Sequence, residues 1–267
     1  NIHVIYGDVQ DLKVLDTAFQ FKPKTVYHLA ALFANQNSVD HPVDDLESNG
    51  EGTVKLLEYC VKFKVEKVLY TSSSCVYGNS KNMIEDSHGE LDTPYAITKL
   101  LGEQYLKYFS NYYGLKGIII RVFNCYGNYD YPGIYRNVIP NFFQACYANT
   151  NLNIYGNGEA TRSYMHIDDL IFGLIKLSDI KFNSNCITLN LGSDVPITII
   201  DLANKIKFMS NSESKIVFCD ERKWDHIKHR RPNLQKAKKL INWDPKISFN
   251  SGLDKYNNWF KKNMSSK

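Results

Sequence analysis

Apolar runs of strand length alternate with segments of helical spacing through the first half of the chain. Thr25-Val26-Tyr27-His28-Leu29 reads as a buried strand, Val68–Thr71 as a second and Ile118-Ile119-Ile120 as a third. Between them, Gly52–Phe63 turns Val54, Leu56, Leu57 and Tyr59 towards one side of a helix. A longer helix is predicted from Pro94 to Tyr113, with Thr93 as its cap, Pro94 at its first position and Gly114 at its end. Ile97, Leu100, Leu101 and Phe109 form its expected packing stripe. Strand, helix and strand repeated in this way predict a parallel sheet covered by helices on both faces. After Asn124 the pattern gives way to loops rich in Gly, Asn, Tyr and Pro and then to shorter elements.

At 267 residues, with 43% hydrophobic and 22% charged residues, the chain has the composition of a globular α/β protein. A net charge of +4 gives no sign of a nucleic-acid tail, and no apolar run reaches the length of a membrane span. The basic stretch Arg222–Lys239 combines a solvated helix face with candidate anion contacts. Six cysteines without paired spacing predict free thiols in a reducing cytoplasm, with neither a disulfide scaffold nor a metal site.

The candidate chemistry begins at "TSSSCVYG", residues 71–78, a hydroxyl-rich segment at the carboxyl end of a predicted parallel strand. Such strand ends are where α/β proteins place ligands; the alternative is a solvated Ser-rich turn. Downstream, "PYAITK" sets Tyr95 and Lys99 four residues apart, on one helix face. A cation beside a phenol favours the phenolate, which predicts a lowered Tyr95 pKa and a usable base.

With these two segments the chain resembles the extended short-chain dehydrogenase/reductases that act on nucleotide sugars, in particular the UDP-glucose 4-epimerase-like members. "GDVQD" (Gly7–Asp11), "YHLAA" (Tyr27–Ala31), "NGEGT" (Asn49–Thr53), "RVFNCYG" (Arg121–Gly127), "NVIPNF" (Asn137–Phe142), "IYGNGEATRSYMHIDD" (Ile154–Asp169), "NLGS" (Asn190–Ser193) and "RRPNLQKAKKLINWDP" (Arg230–Pro245) follow in the family's order. The resemblance implies a Rossmann-type doubly wound parallel sheet: an NAD-binding domain over residues 1–125, and a mainly nucleotide-sugar-binding α/β region over 126–267 with segments returning to the first. It also implies that NAD is the cofactor and a nucleotide sugar the substrate, and that two copies form a homodimer through the Pro94–Tyr113 and Gly52–Phe63 helices.

Roles carry over by position. Ser73 matches the catalytic Ser/Thr, Tyr95 the general acid/base and Lys99 its partner, which also holds the nicotinamide ribose. Asp8 and Val9 match the adenine contact. Leu29, Ala30 and Ala31 match the middle of the cofactor, and Asn49, Ser72 and Phe123 the rest of its groove. Ser73, Asn124, Arg162 and Arg231 match the positions that hold the sugar nucleotide, the arginines through its diphosphate, with Arg230 a near alternative to Arg231.

The family's Gly-rich phosphate turn is absent from these 267 residues, and "NIHVIYGDVQD" looks like the family's third strand. The resemblance therefore implies that a first βαβ segment, on the order of 50 residues, would precede it. Dehydratases and decarboxylases of the family usually carry an acid at the position of Cys75, and dehydratases an Asp at that of Ser74. Their absence leaves NAD-dependent 4-epimerisation through a 4-keto intermediate as the expected reaction. The alternatives are a 4,6-dehydratase, a 3,5-epimerase using Cys75, or a non-catalytic nucleotide-sugar-binding relative. For the 3,5-epimerase, Asn137 stands where an acid/base partner is needed and Arg136 is too basic to replace it, so Cys75 is expected to be a small packing residue.

Overall fold

The computed structural model describes residues 2–80, 83–87, 89–225 and 227–264. In chain order the strands are β1 (Thr25–His28), β2 (Lys67–Ser73), β3 (Lys116–Val122), β4 (Cys125–Tyr126), β5 (Leu152–Tyr155), β6 (Thr161–Ser163), β7 (Met165–His166), β8 (Cys186–Leu191), β9 (Pro196–Thr198), β10 (Ile216–Cys219) and β11 (His229–Arg230). Residues 2–78, 89–122 and 174–189 form one compact unit; the described residues of 79–87, 123–173 and 190–264 form a second.

The first unit is built on the sheet order β1-β2-β3-β8, with β1, β2 and β3 parallel and Tyr27, Leu69 and Ile118 in register. Val68, Leu69, Tyr70 and Ile118–Ile120 are almost wholly buried, as a run covered on both faces requires. Leu15, Phe19, Leu56, Leu57, Leu106 and Phe109, from three helices, pack with them into one core. Residues 2–8, expected to be a strand, join no ladder and are exposed; a strand is defined by a hydrogen-bonded neighbour, and here they have none.

The Pro94–Tyr113 helix has the predicted boundaries. Thr93 Oγ1 accepts from Ala96 N at 3.3 Å, and Gly114 ends the helix with φ +73°, a conformation that favours glycine. Its buried face differs from the expected apolar stripe. Ile97 is 54% exposed, whereas Tyr95, Thr98, Lys99, Gly102, Glu103, Leu106 and Phe109 point inward. Gly102 permits the close approach to β2, because a Cβ there would lie 2.3 Å from Tyr70 Oη. Apolar burial thus holds the C-terminal half of the helix, while the N-terminal half turns its polar face to the sheet.

The helix expected from Gly52 runs from Gly52 to Lys62 and is entered through a π-turn at Leu46–Glu51, itself preceded by short helices at Asn35–Asp40 and Pro42–Asp45. The extra residue of a π-turn re-aims the side chains around it, and such turns recur at functional sites.

The second unit contains the pairs β4-β7 and β5-β10 and the order β11-β6-β9. Its core joins Phe142, Phe143, Leu202, Ile206, Tyr256 and Phe260. Trp243 is fully buried and donates Nε1–H to the Asp169 carbonyl at 3.0 Å. No described helix is long and apolar enough to cross a membrane.

Candidate active site

In the first unit the carboxyl end of β2 carries Ser72 and Ser73, and a 3-10 turn at Ser74–Tyr77 follows. Ser73 Oγ accepts from Cys75 N at 3.2 Å and donates to the Tyr95 phenol. Ser73 is 9% exposed, Tyr95 7% and Lys99 3%. The structure thus brings Ser73 and Tyr95 into direct contact, with Lys99 one helical turn below.

The start of the Pro94–Tyr113 helix is pinned from the Asn35–Asp40 segment. Ser38 Oγ accepts from Tyr95 N at 3.0 Å, and Thr93 Oγ1 donates to Asn35 Oδ1 at 2.9 Å. Asn35 Nδ2 in turn reaches Cys75 Sγ at 3.5 Å. Cys75 is half-buried and close enough to Tyr95 to disfavour the phenolate.

Electrostatics also depart from the sequence expectation. Burial pushes the Tyr95 phenol well above its ordinary range, Cys75 adds to this, and the Ser73 hydrogen bond opposes it. The Lys99 ammonium lies 4.6 Å from the centroid of the Tyr70 ring, and burial lowers its pKa to about 8 while Asp45 and Glu103 hold it up. Desolvation decides the sign at Tyr95, so the predicted lowering is reversed. A phenol of raised pKa is the stronger base once its proton has gone.

Beneath these groups lie charged residues that the sequence reading missed. Glu103 Oε1 accepts from Ser72 Oγ at 2.6 Å and from Arg121 Nε at 2.9 Å, and Oε2 accepts from Arg121 Nη2 at 2.8 Å. Both side chains of this pair are fully buried, and Arg121 also stacks 4.7 Å from the Tyr77 ring centroid. The i, i+4, i+8 spacing of Tyr95, Lys99 and Glu103 was the available signal. His28, buried at the end of β1, donates from Nε2 to Thr53 Oγ1 at 2.8 Å, while Thr53 donates to Asn49 O at 2.6 Å. Burial and Lys99 lower the His28 pKa to about 3, so the ring is neutral.

The residues matched to the cofactor lie at the same strand ends. Leu29 and Ala30 follow β1 on exposed backbone, and Ala31 is half-buried. Asn49, 2% exposed, accepts from Leu32 N at 2.8 Å and donates to Leu32 O at 3.0 Å, which fixes this loop. Asp8 is exposed and accepts from Gln10 N at 2.8 Å; Val9 is partly buried against the core. A fixed loop with small side chains, next to a buried lysine and tyrosine, fits a dinucleotide that must approach the backbone.

Phe123, Asn124, Arg162 and Arg231 belong to the second unit. Asn124 takes φ +35° and donates to Ser163 O at 3.1 Å. Arg162 Nη2 pairs with Asp225 at 3.1 Å, and Nη1 donates to Thr161 O at 3.0 Å and Lys228 O at 3.3 Å. Arg231 is exposed, while Arg230 is buried at 8% and opposite Arg162 in the β6–β11 pair.

The model of the NAD dependent epimerase/dehydratase family matches residues 1–192. An epimerase structure from the methanogen Methanothermobacter thermautotrophicus superposes with a TM-score of 0.95 at 38% identity, covering 98% of this chain and 79% of that one. A UDP-glucuronate 4-epimerase of Thermodesulfobacterium geofontis is 32% identical over 265 residues, 96% of this chain and 79% of the relative. A UDP-N-acetyl-alpha-D-glucosaminuronate decarboxylase of Bacillus cytotoxicus is 30% identical over 248 residues, 88% of this chain and 76% of the relative.

Proposed function

The chain belongs to the NAD dependent epimerase/dehydratase family, and from that premise we propose that it interconverts the C4 epimers of a nucleotide-activated sugar. One observation favours this over the decarboxylase chemistry of its relative. The turn after Ser73, Ser74-Cys75-Val76-Tyr77, presents no carboxylate, and the acid that acts on Tyr95 is Asp45, committed to Thr98 and Asn49. The acid that the family's decarboxylases and dehydratases carry at the position of Cys75 is missing from this turn.

In this reading the site would hold NAD, which when bound would supply reversible hydride acceptance at C4. Tyr95 Oη takes the proton of the C4 hydroxyl and gives it back. Ser73 Oγ–H, which donates to the Tyr95 phenol in the free site, would turn to the C4 oxygen of the sugar. Lys99 supplies the positive charge that makes the phenolate bearable in a buried site and would hold the nicotinamide ribose. Leu29–Ala31, Asn49 and Ser72 would line the cofactor, with Asp8 and Val9 at its adenine end; Phe123 of the second unit is matched to the cofactor as well. Asn124, Arg162 and Arg231 would hold the nucleotide diphosphate, Arg162 exchanging Asp225 for phosphate oxygens.

The working form is proposed to be a homodimer. The Pro94–Tyr113 helix exposes Tyr105, Tyr108, Tyr112 and Tyr113 (38%, 48%, 75% and 51%), more aromatic surface than an isolated helix face needs. Sedimentation at micromolar concentration gives a dimer in this reading; a monomer contradicts it. All six cysteines are free, in keeping with a cytoplasmic setting.

The reading is tested by thermal unfolding with NAD and a panel of UDP-, GDP-, dTDP- and CDP-sugars, because a ligand that binds only the folded chain raises its midpoint. One nucleotide series should stabilise the protein and be converted to its C4 epimer. Stabilisation without conversion would favour the non-catalytic relative.

A further inference from the structure

Asp45 is a fully buried carboxylate that the mechanism above does not use. It ends the Pro42–Asp45 helix, immediately before the π-turn that carries Asn49. Oδ2 accepts from Thr98 Oγ1 at 2.5 Å, and Oδ1 accepts from Asn49 Nδ2 at 2.8 Å. Thr98 sits between Tyr95 and Lys99 on the catalytic helix, and Asn49 clamps both backbone groups of Leu32. One carboxylate therefore joins the acid/base helix to the loop at the end of β1.

Burial pushes the Asp45 carboxyl up, its neutral donors Thr98 and Asn49 oppose this, and the field of Lys99 adds to their effect. An ionised carboxylate taken out of water costs several kcal/mol unless a cation compensates, and an apolar side chain would fill the space more cheaply. Glu103, the other carboxylate near Lys99, already has Arg121 as its ion-pair partner. The Lys99 ammonium is the cation whose field favours Asp45 ionisation, and Asp45 in return favours protonated Lys99.

We propose that Asp45 is a positioning residue that governs how tightly Tyr95 and Lys99 each hold a proton, and that it ties their helix through Asn49 to the loop at Leu32. The inference rests on Tyr95 and Lys99 forming the acid/base pair. The sign follows from charge. Asp45 disfavours the phenolate and favours the ammonium, so it retains the proton on each of the two groups. The other groups facing the pair are Glu103, neutralised by Arg121; His28, neutral; Cys75, which acts on Tyr95; and the Tyr70 ring under the ammonium. Removing the charge at Asp45 moves proton loss to lower pH.

Asp45→Asn is a close probe of charge alone. The new amide accepts from Asn49 Nδ2 and donates to Thr98 Oγ1, whose own proton then turns to the Tyr95 carbonyl at 3.2 Å. The experiment titrates the chain carrying [13C-ε]lysine by NMR, with the Lys99 signal assigned through Lys99→Met. Lys99 should titrate near pH 8 in the unaltered protein, and on the order of 1 pH unit lower in Asp45→Asn and in the second neutral variant, Asp45→Ser. The acidic limb of any sugar turnover should move the same way. An unmoved Lys99 midpoint in a folded neutral variant overturns the proposal, as does failure of both variants to fold, which would make Asp45 scaffold only. Because this titration needs no substrate, a shifted Lys99 in a protein that epimerises nothing would count against the proposed reaction and leave the role of Asp45 standing.

Discussion

Around Tyr95 the first unit buries Lys99, Asp45, Glu103, Arg121 and His28, and the side chains answer one another: Asp45 to Thr98 and Asn49, Glu103 to Arg121 and Ser72, His28 to Thr53. The second unit is centred on rings. Phe143, Tyr147, Tyr256 and Phe260 pack at centroid separations of 5.3 to 6.4 Å. Its buried carboxylates serve the backbone, Asp169 accepting from Lys246 N at 2.9 Å and Ile247 N at 3.0 Å and Glu85 from Asn190 N at 2.9 Å. Rings fill volume and tolerate exchange of one apolar shape for another. A network of buried charges answers a change of charge with lost stability or a shifted titration, but it fixes atoms in place, which proton transfer needs.

The largest break in this comparison is expected at the phenol. Tyr95→Phe should lower sugar turnover by at least 10²–10⁴-fold, on the order of what one positioned acid/base supplies, with the thermal midpoint barely changed. Steady-state assays beside calorimetry measure both, and near-normal turnover would remove Tyr95 from its role. Glu103→Gln keeps the shape and leaves Arg121 buried without its counter-charge, at a cost of about 3–5 kcal/mol in urea unfolding. A loss under about 1 kcal/mol would mean that water reaches the pair.

Acid should expose the same contrast. His28 has a folded pKa of about 3 against an ordinary value of 6.5, so the unfolded chain takes up the proton first. The contribution of the neutral ring is complete above pH 6.5 and is lost as pH falls towards 3; between pH 7.5 and 5 this amounts to about 2 kcal/mol. A His28→Asn variant should show a correspondingly flatter stability profile over that interval. The difference separates His28 from His166 in the second unit, whose ring is also pushed down by burial. Equal slopes would assign the acid sensitivity elsewhere.

In the aromatic core, the shape-preserving Leu202→Met should cost less than about 1.5 kcal/mol, well below Glu103→Gln; equal costs would erase the distinction between the two interiors. Lys24→Ala marks the lower end. Its pair with Glu66 spans 3.8 Å with side chains 82% and 67% exposed, and chemical denaturation should show a change within about 0.5 kcal/mol.

What the sequence disclosed follows the same division. The β2 and β3 runs, the Thr93 cap, Pro94 and Gly114 are local signals, and the helix they delimit is the one observed. Tyr95 and Lys99 were legible because i and i+4 share a helix face. Asp45 and Arg121 were not, because their partners are 53 and 18 residues away in sequence and no spacing rule joins them. The inward face of the Pro94–Tyr113 helix is illegible in sequence for a related reason: an apolar stripe does not mark its buried side, since Ile97 is exposed and Lys99 and Glu103 are buried. The direction of the Tyr95 shift required knowing its burial, which periodicity does not supply.

The central claim, that hydride leaves and returns at C4 with no carbon-bound proton exchanged, is tested most directly in deuterium oxide. The protein is incubated there with NAD and the nucleotide sugar that stabilises it, UDP-glucuronate and UDP-glucose being the first to try, and the product is read by proton and carbon NMR. The account predicts a C4 epimer with protium retained at C3, C4 and C5 and all six sugar carbons present. Deuterium at C3 or C5, or loss of C6 as carbon dioxide, would contradict it and reassign the chain to the 3,5-epimerase, dehydratase or decarboxylase chemistry of its family.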